Sequence, residues 1–502
     1  MKESTSGTSD RTTSGWLLEL DLAGVARGRQ AEELADRLRR AVRIGRLPAG
    51  TRLPASRTLA GDLAVSRGVV VRAYEQLGAE GYLSARLGSG TVVADVPGAP
   101  VASVRRRHRP PTNPGLPSGG TFPRAAWMRC AARAFSRLTD ADFGYGDPAG
   151  WPPLREELCR YLGRVRAVLA PPERIVVVNG FGQSTRLVAD VIGQAGLDRI
   201  AIEDPGSIGM REQFERASVR CVGVPVDANG IRVDALEAEG VRAVVVTPAH
   251  QFPTGVVASG ERRHALLDWA RRTRSVVVED DYDAEFRYDR TPVGALQGLG
   301  PDVVVYGGSV SKTLAPGLRL GWLVAPEHLA ETFTEAKYSA DLARGVLDQA
   351  TMAEFLASGE MDRHIRRMAV EYRRRRDRLV DTIAAAFPDW EVSGAAAGLH
   401  LLLHPPTENT EAVAAIAQAC GLDARPLSRY SIGRCSQQGL VVGYGHQPPD
   451  TIAAAVVQLR RRLSGTPAAG KPPIGAPGSG HDAFAPTRGR RRWVDAGTGR
   501  IG

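Results

Sequence analysis

Two periodicities alternate along the chain. Within residues 32–44, Leu34, Leu38 and Val42 recur at i, i+4 and i+8, which is one face of a helix. Gly45 follows as a stop signal. Ser56 is the expected N-cap of a second helix, with Leu59 and Leu63 inward. Ser66 is the expected N-cap of a third, with Val70, Tyr74 and Leu77 inward. That phase leaves Arg67, Gly68 and Arg72 facing out. Residues 82–95 then form two β-rich arms around Leu87-Gly88-Ser89-Gly90, the pattern of a hairpin. From about 121 to 465 the pattern changes. Short β-branched runs (RIVVVNG, VRAVVVTP, SVVVED, DVVVYGG) are bounded by turn or polar residues and alternate with helical stretches. Such runs are buried parallel strands, so this region is expected to be layered α/β.

Composition divides the chain further. Residues 97–120, PGAPVASVRRRHRPPTNPGLPSGG, are rich in Pro, Gly and Arg and read as a linker. Residues 1–21 are polar, and 466–502 are low in complexity; both are expected to be disordered. The domains are therefore 22–96 and 121–465. The net charge of +10 is unevenly placed: 22–96 carries +5, 97–120 carries +4, 466–502 carries +4, and 121–465 only −1. A basic head and linker on a near-neutral body point to a polyanionic partner. Five scattered cysteines with no CxxC pair argue against a disulfide framework or a zinc site and fit a reducing, cytoplasmic setting. No stretch reads as a secretory leader or a membrane helix, so no membrane partner is expected.

The head suits a DNA groove. A recognition helix presents its N-terminal residues to base edges. Arg52, Arg57 and Arg67 can contact phosphate or guanine, and Arg86 with the glycine-rich hairpin tip at Gly90 can approach the backbone. The string GRLPAGTRLPASRTLAGDLAVSRGVVVRAYEQLGAEGYLSARLGSGTVV resembles the winged helix-turn-helix of the GntR family over the whole head. The resemblance implies binding to a double-stranded operator. The candidate contacts are Arg52, Ser56, Arg57, Ser66, Arg67, Gly68, Arg72, Arg86 and Gly90.

Five fragments of the body carry chemistry. In YGGSVSKTLAPGLRLGW, Lys312 follows a strand between Ser309 and Ser311 and can form an imine with an aldehyde cofactor. Arg319, seven residues on, is suited to pair a phosphate. In VVVEDDYDAEFRY, Asp280 at a strand end can keep a pyridine nitrogen protonated, with Asp281 the alternative, and Tyr282 can hydrogen-bond a phenolic oxygen. In VVVNGFGQSTRL, Gly180, Phe181, Gly182 and Gln183 form a turn into a helix whose N–H groups can cradle a phosphate. VTPAHQFPTG places His250 and Gln251 at a strand end, with Gln251 a candidate cofactor contact. FGYGDPAGWPPLREEL is a Gly/Pro loop leading into a helix.

In this order the fragments resemble fold-type I aminotransferases of the pyridoxal phosphate family. With the head, residues 22–465 resemble the MocR (GabR-like) subfamily of GntR regulators. The resemblance implies Lys312 as the Schiff-base lysine, Asp280 on the pyridine nitrogen, Tyr282 on the phenolic oxygen, and Arg319 and Ser309 on the phosphate. It also implies a homodimer. Three positions depart from the family pattern. Phe181 stands where a hydroxyl follows the glycine, Ser207 where an aromatic stacks on the cofactor, and Leu440 where an arginine binds the substrate carboxylate. Arg425, Arg429 and Arg434 lie upstream as substitutes. The expected function is a transcriptional regulator that senses pyridoxal phosphate, an amine or an amino acid. The alternatives are an active aminotransferase with a fused DNA-binding module and a body serving only as a dimerisation scaffold.

Overall fold

The computed structural model describes residues 20, 22–86, 90–95, 114–283, 285–288, 293–394, 396–433 and 437–465, without the side chains of 85 and 86. The hairpin tip 87–89, the Arg86 side chain, Arg434, the tail from 466, and most of 1–21 and 97–120 lie outside this description. The chain divides into two compact units, Met1–Pro111 and Thr112–Gly502.

In the first unit, α1 (Gln30–Arg43), α2 (Ser56–Asp62) and α3 (Arg67–Ala79) precede the hairpin of β1 (Leu83–Arg86) and β2 (Gly90–Val93). Leu34, Leu38, Val42, Leu59, Val70 and Leu77 meet in one core, as their spacing predicts. Two cap expectations need correction. Ser56 is the first residue of α2, whose N-cap is Ala55. Ser66 is the N-cap of α3, but its side chain makes no capping bond. The chain at 50–53 also joins the hairpin: Leu53 N–H bonds Thr91 C=O and Val93 N–H bonds Thr51 C=O, both at 2.9 Å.

The second unit opens with α4 (Arg124–Phe135) and α5 (Pro152–Arg166). Then come β3 (Ile175–Val178), α6 (Phe181–Gln194), β4 (Arg199–Asp204), α7 (Ile208–Arg216), β5 (Arg220–Asp227), β6 (Gly230–Ile231) and α8 (Val233–Ala238). They are followed by β7 (Ala243–Val246), α9 (Gly260–Thr273), β8 (Val276–Asp281), β9 (Val304–Ser309) and β10 (Gly321–Val324). These strands form one sheet in the order β3-β10-β9-β8-β7-β4-β5-β6. Its centre is parallel; β10 runs antiparallel to both neighbours, and β6 to β5. The four runs read from sequence are β3, β7, β8 and β9, and most of their residues are buried. Helices α10 (Ala330–Asp341), α11 (Val346–Ala357) and α12 (Glu360–Ala386) lead to a second, antiparallel sheet. It comprises β11 (Glu391–Ser393), β12 (His400–His404), β13 (Asp423–Pro426) and β14 (Leu440–Gly443), ordered β11-β12-β14-β13, with α13 (Thr410–Ala419) and α14 (Pro449–Leu463). No described helix is long and apolar enough to cross a membrane.

Candidate cofactor pocket and DNA-binding head

The candidate residues of the body collect at the carboxyl ends of β3, β7, β8 and β9, where open α/β sheets place ligands. Register sets this up: Asp280 lies opposite Gly307 and Asp281 opposite Gly308, so the end of β8 stands beside the strand that leads to Lys312.

Asp280 and Asp281 point to opposite faces, because side chains alternate along a strand. Asp281 is buried and fully engaged. Arg166 donates to its two oxygens at 2.7 and 3.1 Å, and the Tyr306 hydroxyl donates at 2.8 Å. Asp280 keeps some accessible surface and has no hydrogen-bond partner among the described residues. Burial, then the charges of Asp281 and Asp283, hold its carboxyl well above the usual range, and Lys312 works against them. Burial also lowers the pKa of Lys312, opposed by Asp283 and Asp280. A deep amine whose protonated form is disfavoured by burial therefore lies within electrostatic reach of a carboxyl with open hydrogen-bonding capacity.

The turn between β3 and α6 is a cradle. Gly180 has φ 80°, a conformation that favours glycine, and it caps α6 with no side-chain bond. The Phe181 and Gly182 N–H groups, at the first positions of the helix, have no intrahelical acceptor. Arg319 lies against this turn: a Cβ on Gly180 would meet its guanidinium at 3.4 Å, and its Nη2 donates to Asn179 C=O at 2.5 Å. Asp341 braces the turn from behind, accepting from Asn179 Nδ2 at 2.9 Å and Gln183 Nε2 at 2.8 Å. Arg344 donates to the Asn179 side chain and the Arg319 carbonyl. Ser309 and Ser311 bracket Val310 just before Lys312, with Ser309 Oγ accepting from Ser311 N–H at 3.4 Å.

Tyr282, His250 and Asp283 form a linked set. The Tyr282 hydroxyl lies 3.1 Å from His250 Nδ1, which lies 3.0 and 3.1 Å from the two Asp283 oxygens. The His400 ring lies tilted against His250, with ring centroids 5.1 Å apart, and burial lowers its pKa well below the usual value. Gly398 makes room for this: a Cβ there would stand 2.3 Å from the His250 ring.

In the first unit, Arg52, Arg57, Ser66, Arg67, Gly68, Arg72 and Gly90 are exposed, and Ser56 is half-buried. Arg67 Nε donates to Ser56 Oγ at 3.4 Å, so the starts of α2 and α3 share one surface. Arg52 crosses to the hairpin, where it pairs with Val92 and its guanidinium lies against Gly90. The cations thus fall in two groups, at the start of α3 and beside the hairpin.

Comparison with known proteins now places these two sites in one lineage. The profile "Bacterial regulatory proteins, gntR family" matches residues 30–93, and "Aminotransferase class I and II" matches residues 117–439. The probable rhizopine catabolism regulatory protein MocR of Rhizobium meliloti is 33% identical over 471 residues, covering 88% of this chain and 95% of its own. The chain belongs to the MocR-type regulators of the GntR family. The pyridoxine biosynthesis transcriptional regulator PdxR of Corynebacterium glutamicum is 31% identical, covering 86% of this chain and 95% of its own. Among solved structures, the multiple substrate aminotransferase of Thermococcus profundus matches with TM-score 0.64 and 27% identity, over 70% of this chain and 90% of its own. LysN, the α-aminoadipate aminotransferase of Thermus thermophilus, matches with TM-score 0.62 and 26% identity, over 70% and 91%. Winged helix-turn-helix and fold-type I body are therefore both present in this MocR-type chain.

Several residues singled out from sequence do other work. Gln251 is buried and saturated: its Nε2 donates to Pro205 C=O at 2.9 Å and Phe252 C=O at 2.6 Å, and its Oε1 accepts from Thr254. It holds the loop, and its neighbour His250 is the one brought to Tyr282. Gln183 is likewise spent, its amide on Asp341 and its Oε1 on Asn179 N–H. The Phe181 ring packs on Gly307, where a Cβ would meet it at 2.6 Å, and joins the core under the sheet. Ser207 caps α7, accepting from Met210 N–H at 3.4 Å.

Leu440 holds the carboxylate position that the family resemblance implies. It points into the core of the second sheet, and strand alternation turns Val441 the other way. Val441 meets Leu402, Leu427 and Tyr430, with Phe252 and Ile208 packed against them. Arg425, opposite Val441 in the register, lies beside this patch, and Arg429 is exposed. Phe252 and Tyr430 were not foreseen as site residues. Phe252 packs edge-on to Tyr282 at 6.1 Å, His400 at 5.1 Å and Tyr430 at 5.2 Å. Only the adjacency of Phe252 to His250 in sequence hinted at it.

Proposed function

We propose that this regulator holds pyridoxal phosphate at Lys312 and that occupancy of the pocket alters how its winged helix-turn-helix binds a double-stranded operator. When bound, the cofactor supplies an aldehyde for an amine to capture and an electron-withdrawing ring. The residues present fit it. Lys312 offers a buried amine whose protonated form is disfavoured, and Asp280 a carboxyl with no hydrogen-bond partner among the described residues. Phe181 and Gly182 N–H, with Arg319 and the Ser309 hydroxyl, would hold the phosphate. Tyr282 would hold the phenolic oxygen, oriented through His250 and Asp283. In the head, the exposed cations at Arg52, Arg57, Arg67 and Arg72 would meet DNA.

The observation that carries this reading is the division of labour between two adjacent acids. Asp281 is consumed by Arg166 and Tyr306, while Asp280 has no hydrogen-bond partner among the described residues and lies within electrostatic reach of Lys312. A dimer fits the exposed Met128, Phe135, Phe143 and Tyr145, an apolar group of the kind that marks protein interfaces. Action in the cytoplasm follows from a DNA partner. Sensing is favoured over turnover because relatives matching along most of this chain carry the names of regulators. The test is binding of the purified protein to its own upstream region with and without pyridoxal phosphate, alongside an assay for amino-group transfer across an amine panel. A cofactor-dependent change in DNA affinity without turnover supports the reading; steady turnover with no effect on DNA overturns it.

A further inference from the structure

The stretch Pro114–Ser118 closes the linker in sequence, yet it lies inside the second unit against the Lys312 pocket. Pro114, Gly115 and Pro117 are buried. Gly115 has φ 87°, and a Cβ on it would begin 4.0 Å from Lys312 Nζ and 3.9 Å from His400 Nδ1. Two further glycines give the segment its track across the end of β14. A Cβ on Gly443 would fall 2.8 Å from Pro114 Cα and 3.0 Å from Gly115 N; one on Gly445 would fall 2.5 Å from Leu116 C=O. Past the pocket, Ser118 N–H donates to the Tyr372 hydroxyl at 3.4 Å on the long helix α12.

We propose that residues 114–118 form a strap over the pocket that relays its occupancy to the linker, and through the linker to the DNA-binding unit. This rests on the cofactor reading above and deepens it by naming the route. A side chain on Gly115 would start in van der Waals contact with Lys312 Nζ, so a group bound at Lys312 lies beside the strap backbone. The strap is covalently continuous with residues 97–113, whose far end carries the head. A ligand that favours one strap position over another therefore shifts the tether of the head by the difference in its affinity for the two.

The strap can be moved without touching Lys312. Gly443→Ala and Gly445→Ala each put a methyl into strap backbone at separate contacts, at positions whose φ alanine accepts. In the full-length protein, three quantities are measured for wild type and both variants: the visible absorbance of bound pyridoxal phosphate, DNA affinity with and without it, and amide exchange at Gly115, Leu116 and Ser118. Wild type should show cofactor-dependent exchange at these amides and a cofactor-dependent change in DNA affinity of about fivefold or more. At least one variant should keep the absorbance band and the cofactor-free DNA affinity while losing that change. Variants that bind the cofactor and respond on DNA as wild type does would overturn the strap and leave the cofactor reading standing. So would variants that lose the absorbance band altogether, since the strap would then merely build the pocket. A wild-type protein whose DNA affinity ignores the cofactor would overturn the sensing reading and the strap with it.

Discussion

The turn that opens α6 and the patch around β12 and β14 are built on opposite principles. The turn is polar and braced: a positive-φ glycine, two open N–H groups, Arg319 in front, and Asp341 and Arg344 behind. The opposite face is apolar and aromatic, with Val441, Leu402, Tyr430 and Phe252 beside two buried histidines. One side is suited to grip a phosphate. The other offers mainly apolar contacts, with Arg425 beside it, and the strap crosses the end of its strand β14. On the proposed reading, the turn would anchor the cofactor and the apolar patch would adjoin whatever reacts with it.

The contrast can be broken or sharpened by substitution. The largest effect is expected from Lys312→Ala, which should abolish covalent capture; a visible cofactor band that survives in an absorbance titration would contradict the assignment. Next comes the pair of acids. Asp281→Asn leaves Arg166 buried with a weakened partner and should lower stability by about 3–5 kcal/mol in denaturant unfolding. Asp280→Asn should leave stability near wild type and instead alter the spectrum and affinity of the bound cofactor. Equal destabilisation by both would erase the division of labour. Arg319→Ala removes a charged contact to phosphate and should weaken cofactor binding by about 10- to 150-fold, from the ~1.5–3 kcal/mol such bonds contribute. The smallest effect is in pH. Burial disfavours the ammonium form, so the Lys312 amine is freed at a lower pH than an exposed lysine. Capture should speed up by about tenfold per pH unit while the amine is mostly protonated, then level off below pH 10.5, the ordinary lysine value. A rate still climbing past that point would show Lys312 to be unperturbed.

Much of this was legible in the chain. Helical spacing located the buried faces of α1, α2 and α3, and the β-branched runs located β3, β7, β8 and β9. Lys312, Asp280 and Arg319 stand out because each sits at a strand end or a fixed distance from one. What the chain left open shares a physical origin. At a strand end, a shift of one residue reverses which way a side chain points, as between Leu440 and Val441. A residue's type does not reveal whether its donors are already taken, as they are in Gln183. Phe252 and Tyr430 meet only in three dimensions, and Gly115 hides in a stretch whose composition reads as linker.

The most direct test is a titration of the protein's own upstream DNA with wild type and Lys312→Ala, each with and without pyridoxal phosphate. The account predicts that both proteins bind DNA, that the cofactor changes the affinity of wild type, and that it leaves the variant unchanged. An identical cofactor response in both proteins would contradict it.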